Sequence, residues 1–306
     1  MKQALLKTAH RFGYVILKRE YAESLQANAR RPGGGLRPVG RPMREIGEHR
    51  AIFCFGGSSA EVFDYIFNDY PQYYSFWHSG QKGRGAQGLI SAISSYLANR
   101  LQDSYVIIGA GTGDVTYHLQ HVANTYGVID AEEVILAAVA GYTRLEQALP
   151  ALGCRKVRTI FYTPIVDLPP EYWQNVAGFA APLPNRFMAK CVYEIARRCE
   201  HTLRDCVNLL PITADPETFL ARPEFCRVYH DHHLSFIRVT PILASHVQDF
   251  VAGWDGRVDM PEQEYAHHPR REDMLFNTRN PVWQKALDPR VRLSFPVTGL
   301  DQSLPD

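Results

Sequence analysis

AIFCFGGSSAEVF, residues 51–63, runs from five apolar residues of strand length through two glycines and two serines into a helical pattern. A short run this uniformly apolar suits a strand buried on both faces, and the glycines allow a tight turn into a helix predicted over 60–68. The same alternation continues outward: YYSFW at 73–77 reads as strand, 87–100 as helix, and SYVIIGA at 104–110 as the clearest buried strand. Val134, Ala138, Tyr142, Leu145 and Leu149 keep steps of three or four, a helix stripe ended by Gly153. VRTIFYTP (157–164) is the fourth strand, Met188 to Leu203 the next helix, and VNLLPI (207–212) the fifth strand. A last helix is predicted with Thr240 as cap, Pro241 in its first position, and Leu243, Val247 and Phe250 on one face. Strands alternating with helices predict an α/β protein, a three-layer αβα arrangement around a five-stranded parallel sheet.

Around this block the chain changes character. Residues 1–50 read as an amphipathic helix (Leu5, Leu6, Phe12, Val15, Ile16 and Leu17) followed by a Pro-, Gly- and Arg-rich linker over 31–50. Residues 51–254 form the main domain, and 255–306 a charged, aperiodic extension in which Phe276 and Trp283 are candidate anchors. No internal repeat is present. With 33 Lys and Arg against 32 Asp and Glu, the net charge is +1, too weak a field for nucleic acid or an anionic membrane. No apolar run approaches the roughly 18–20 residues that cross a bilayer, and no secretory signal is read. The six cysteines form no CxxC pair and lie mostly in apolar stretches, so a reducing, cytoplasmic setting is expected.

Ligands of open parallel sheets bind beyond the carboxyl ends of the strands, where four segments stand out. In GGSSAEVF (56–63), Ser58 follows a strand at a helix N-terminus, a place for a nucleophile and equally for an ordinary cap. In GRGAQGL (83–89), Gly88 lets a backbone N–H approach a substrate, or the glycines only turn the chain. GAGTGDVTYHL (109–119) is similar to the glycine loop of S-adenosylmethionine-dependent methyltransferases, although the strand before it, SYVIIG, carries no acid. YHDHHLS (229–235) brings together His230, Asp231, His232 and His233, groups able to carry protons or bind metal. Three consecutive residues cannot converge on one ion, and the extra ligands would have to come from His78, His118 or Asp114. Neither a metal nor a cofactor is expected.

In chain order, these segments resemble the blocks of the SGNH (GDSL-like) hydrolases, flavodoxin-like enzymes that include esterases, deacetylases and acyltransferases acting on carbohydrates. The resemblance spans residues 51–252 and implies Ser58 as nucleophile, the Gly88 N–H as oxyanion donor, and His233, followed by Leu-Ser, as general base. Gly111, Asp114 and His118 match the G-x-x-D-x-x-x-H stretch of bacterial members associated with polysaccharide and capsule genes, implying a place beside the oxyanion or substrate. Gly57 replaces the usual Asp of the first block, Gly113 stands where an oxyanion Asn is usual, and the acid of the last block is Asp231, two residues before His233 rather than three. The implied chemistry is acyl transfer on a small-molecule or carbohydrate substrate, with Asp231 orienting His233. A methyltransferase, or a carbohydrate-binding protein on a degenerate scaffold of this family, stays open, as does the oligomeric state.

Overall fold

Ile52–Gly56 forms β1 and pairs in parallel on both sides, with Tyr73–Trp77 (β2) and with Tyr105–Ala110 (β3). The computed structural model describes residues 50–251, apart from 68–69, 71, 78–81, 98–100, 128, 228–231 and 248. The expectations for 1–49 and for the extension at 255–306 therefore lie outside the described residues. Lys156–Phe161 (β4) pairs with β3, and Cys206–Asn208 (β5) with β4, giving one all-parallel sheet in the order β2-β1-β3-β4-β5. Every residue of β1 and β3 is buried, as the uniform apolar runs required.

The order dictates the layers. A right-handed crossover from β1 to β2 puts its helix on one face, and the later crossovers, which run the other way along the sheet, put theirs on the opposite face. Accordingly Val62–Ile66 (α1) packs against the last helix, Phe236–Val247. Ala86–Leu97 (α2) and Asn185–Thr202 both pack against the long Ala131–Ala151. Between these lie Gln120–Tyr126 (α3), then Ala131–Ala151 as α4, Pro170–Ala177 (α5), Asn185–Thr202 as α6, Leu210–Thr213 (α7), and the last helix as α8. This is the three-layer, flavodoxin-like arrangement, and its chain direction reverses between β1 and β3.

Three local expectations needed correction. The fifth strand stops at Asn208, not 212: Leu209 N–H still reaches the Phe161 carbonyl, but Asn208 Oδ1 then accepts from Leu210 N–H and Pro211 has no N–H for a ladder. The last helix begins at Phe236, so Pro241 lies inside it and Thr240 is a buried core position instead of a cap. Its stripe of Phe236, Val239, Leu243 and Val247 runs through the proline unbroken, and packing on α1 outweighs the lost backbone bond. The sequence assigns no secondary structure to residues 113–119, yet Asp114–Leu119 winds as a π-helix into α3, and α5 has no counterpart in the sequence reading. No helix among the described residues is long and apolar enough to cross a membrane.

Candidate active site

The reversal between β1 and β3 leaves a crevice at the carboxyl ends of these strands, and the first side chain beyond β1 is Ser58. Gly57 remains extended (φ −78°, ψ −172°), and Ser58–Glu61 then closes a 3-10 turn in which Ala60 N–H donates to the Gly57 carbonyl at 2.9 Å. The turn descends directly onto the sheet. A Cβ on Gly56 would come within 2.6 Å of the Ala60 Cβ and 2.8 Å of the Gly109 carbonyl oxygen; one on Gly109 would meet Ala60 at 3.1 Å and Phe63 at 3.2 Å. Gly56 and Gly109 are partners in register, so together they open the floor on which Ala60 rests. From the end of β4, the buried Tyr162 hydroxyl donates to the Ser59 carbonyl at 2.5 Å and fixes the turn from the other side.

Ser58 Oγ lies 2.6 Å from His233 Nε2, across 175 residues of sequence. Both side chains are half-buried, which leaves them reachable by a ligand. His233 is held from its C-terminal side. Leu234 is buried and bridges Cys226, the fully buried Ser235 donates its N–H to the Phe225 carbonyl at 2.8 Å, and Arg227 Nε donates to the Leu234 carbonyl at 3.1 Å. The His233 ring also lies against that of His232, centroids 3.9 Å apart and planes tilted by 41°, and His232 Nδ1 lies 2.6 Å from the Tyr172 hydroxyl on α5. The acid expected at Asp231, with its neighbour His230, lies outside the described residues.

The remaining expected residues frame this pair differently. Gly88 is half-buried in the first turn of α2, which continues from the 3-10 turn at Gly83–Gly85. Gly111 lies just past β3, and a Cβ there would meet nothing within 4 Å, so the chain borders open space. Asp114 is buried and turned inward: Gly83 N–H donates to its Oδ2 at 2.6 Å and Arg84 N–H to its Oδ1 at 3.1 Å, tying the turn before α2 to the π-helix after β3. Burial pushes its carboxyl upward, against the pull of those two N–H donors and of Lys82. His118, half-buried on the π-helix, is driven down to about 4, chiefly by burial and then by the positive charges of Arg84 and Lys82. Lys82 is itself lowered by burial to about 8.

Tyr162, Tyr172 and Lys82 escaped sequence reasoning, and His232 was singled out only as one of a cluster able to carry protons or bind metal. The only signal for Lys82 was its place before the GRG turn; for the tyrosines there was none, because each meets its partner across more than 50 residues. Among the described residues no group of three His, Cys, Asp or Glu side chains converges as a metal site.

No known protein-family model and no curated protein matches the chain. Solved structures similar to it include a protein of Bacteroides fragilis provisionally described as an acylhydrolase, at 14% identity over 74% of this chain and 94% of that one, with a TM-score of 0.42. Another is a catalytic mutant of an acetylxylan esterase from Geobacillus stearothermophilus, at 14% identity over 70% and 99% of the two chains, with a TM-score of 0.37.

Proposed function

We propose that the chain is an SGNH-like serine hydrolase or acyltransferase that forms an acyl-enzyme on Ser58. One observation carries this reading, the 2.6 Å approach of Ser58 Oγ to His233 Nε2 at the strand ends flanking the reversal of the sheet. A serine hydroxyl is a weak nucleophile until a base within hydrogen-bond reach takes its proton, and 2.6 Å is that reach. His233 accepts the Ser58 proton as Oγ adds to the ester carbonyl, then delivers it to the departing alcohol. Water, or an acceptor hydroxyl in the transferase case, reverses the sequence. The oxyanion is assigned to the N–H groups of Ser58 and Gly88, and the open ground beside Gly111 to the substrate. Asp114 supports this arrangement from within, since both its oxygens accept from the 83–84 backbone. A carbohydrate or polysaccharide-precursor ester is the substrate class we favour, and the six free cysteines suit a reducing, cytoplasmic setting. The glycine at 109 has a packing role beneath Ala60, which accounts for it without a nucleotide cofactor.

The test is covalent. A fluorophosphonate probe is expected to label Ser58; Ser58→Ala and His233→Ala abolish labelling, while Ser59→Ala retains it. Labelling that persists in Ser58→Ala would place the activated nucleophile elsewhere and overturn the assignment.

A further inference from the structure

Lys82, just before the Gly83–Gly85 turn, is only 4% exposed, and its ammonium has no hydrogen-bond partner among the described residues. An ammonium carries three N–H donors, and a fold seldom buries one with none of them met. The neighbouring Asp114 carboxyl attracts it through space but makes no hydrogen bond to it, each oxygen being turned to a backbone N–H of Gly83 or Arg84. Two residues on, Arg84 adds a second cation with an exposed side chain. Facing them is His118, on the π-helix that Asp114 ties to this turn; single-turn π-helices of this kind occur often at functional sites. Burial and the two neighbouring cations hold His118 neutral, so among these four residues only the Asp114 carboxyl, itself pushed upward by burial, offsets the charges of Lys82 and Arg84. All four residues lie beyond the carboxyl ends of β2 and β3, the strands on either side of β1 and Ser58.

We propose that Lys82, Arg84 and His118 form an oxyanion subsite that receives a phosphate or carboxylate group carried by the ester substrate. The proposal rests on the acyl-transfer reading of Ser58 and narrows its substrate to esters bearing one anionic group near the reacting carbonyl. The bound anion supplies the acceptors that the Lys82 ammonium lacks, Arg84 closes over it from the solvent side, and neutral His118 donates or accepts one further hydrogen bond.

Two measurements on the full chain test this. The first is thermal unfolding with inorganic phosphate against chloride at matched ionic strength. Phosphate is expected to raise the Tm of the wild type, to do so less in Arg84→Gln and not at all in Lys82→Met. Lys82→Met should itself melt higher than wild type without phosphate, because an apolar chain replaces an unmet buried charge. An equal phosphate effect in Lys82→Met overturns the subsite. The second compares kcat/KM for esters with one leaving group and an acetyl or a hemisuccinyl acyl part, and for an acetyl ester of a phosphorylated alcohol. Preference for one anionic ester over the acetyl ester is expected, the choice identifying carboxylate or phosphate, and Arg84→Gln should cut that preference about tenfold, a loss of about 1.4 kcal/mol. Should fluorophosphonate label Ser58 while no anion stabilises the protein and no preference appears, the subsite falls and the hydrolase stands. Should Ser58 stay unlabelled while phosphate stabilises through Lys82, the subsite stands and the hydrolase falls.

Discussion

Ser58 and His233 were legible because each stands at a boundary that the sequence marks: one after an apolar run and two glycines, the other before a Leu-Ser step into a helix. Tyr162 and Lys82 were not, since the role of each depends on a neighbour supplied by another strand end. The glycines were legible as turn residues but not as floor. Gly56 and Gly109 matter because Ala60 rests on them, and the two distances grade the cost. Gly56→Ala places a methyl 2.6 Å from the Ala60 Cβ and 2.8 Å from a backbone oxygen that cannot yield, whereas Gly109→Ala meets side chains at 3.1 and 3.2 Å. Denaturant unfolding should show Gly56→Ala losing about 1–3 kcal/mol and Gly109→Ala less. The Ser58 labelling rate should fall in the same order, and the reverse order would mean that the nucleophile turn is not seated on this pair.

At the scale of elements, the longest apolar runs and the most regular stripes survived intact: β1, β3, α4 and α6 all appear where the pattern placed them. The failures share a cause. VNLLPI has one polar residue and no regular period to divide it, and the Asn208 side chain and Pro211 decide that the strand ends and a helical turn begins. Pro241 misled in the opposite direction, since a proline with Thr before it usually opens a helix. Here the buried stripe on α8 carries the helix past it, and Pro241 itself is exposed. Pro241→Ala restores a backbone donor at a solvent-facing position. It should raise the Tm, with a ceiling near the ~3 kcal/mol that separates proline from alanine in a helix interior. A fall in Tm would show that the bend imposed by the proline is needed to seat the residues before α8, His233 among them.

For the whole molecule, His118 and Lys82 each leave a mark on the pH profile of stability. His118 has its folded pKa lowered to about 4, so on acidification the unfolded chain takes up that proton first; stability should fall as pH drops from about 6.5 through 4. Lys82, lowered from 10.5 to about 8, acts in the alkaline range. Below pH 8 it is charged in both states and the burial penalty is fully present. Between 8 and 10.5 the folded state has released its proton and the unfolded state has not, so the contribution of Lys82 rises with pH, by about 3 kcal/mol at most, against the loss from buried thiols that ionise first in the unfolded chain. Thermal unfolding from pH 4 to 10.5 reads both limbs; relative to wild type, Lys82→Met should lose the alkaline gain and soften the acid loss, because the Lys82 charge also lowers His118. Wild-type and Lys82→Met profiles of equal slope above pH 8 would contradict the burial of this ammonium.

The 175 residues between Ser58 and His233 also impose a chronology on the protein. On a ribosome Ser58 emerges early, but His233 emerges only after all five strands and most of the covering helices have been made. On the proposed reading of this pair, a nascent or truncated chain carries the serine without the group that would activate it. Reactivity at Ser58 should then appear during refolding only as the final segment arrives, a clock for the last docking step.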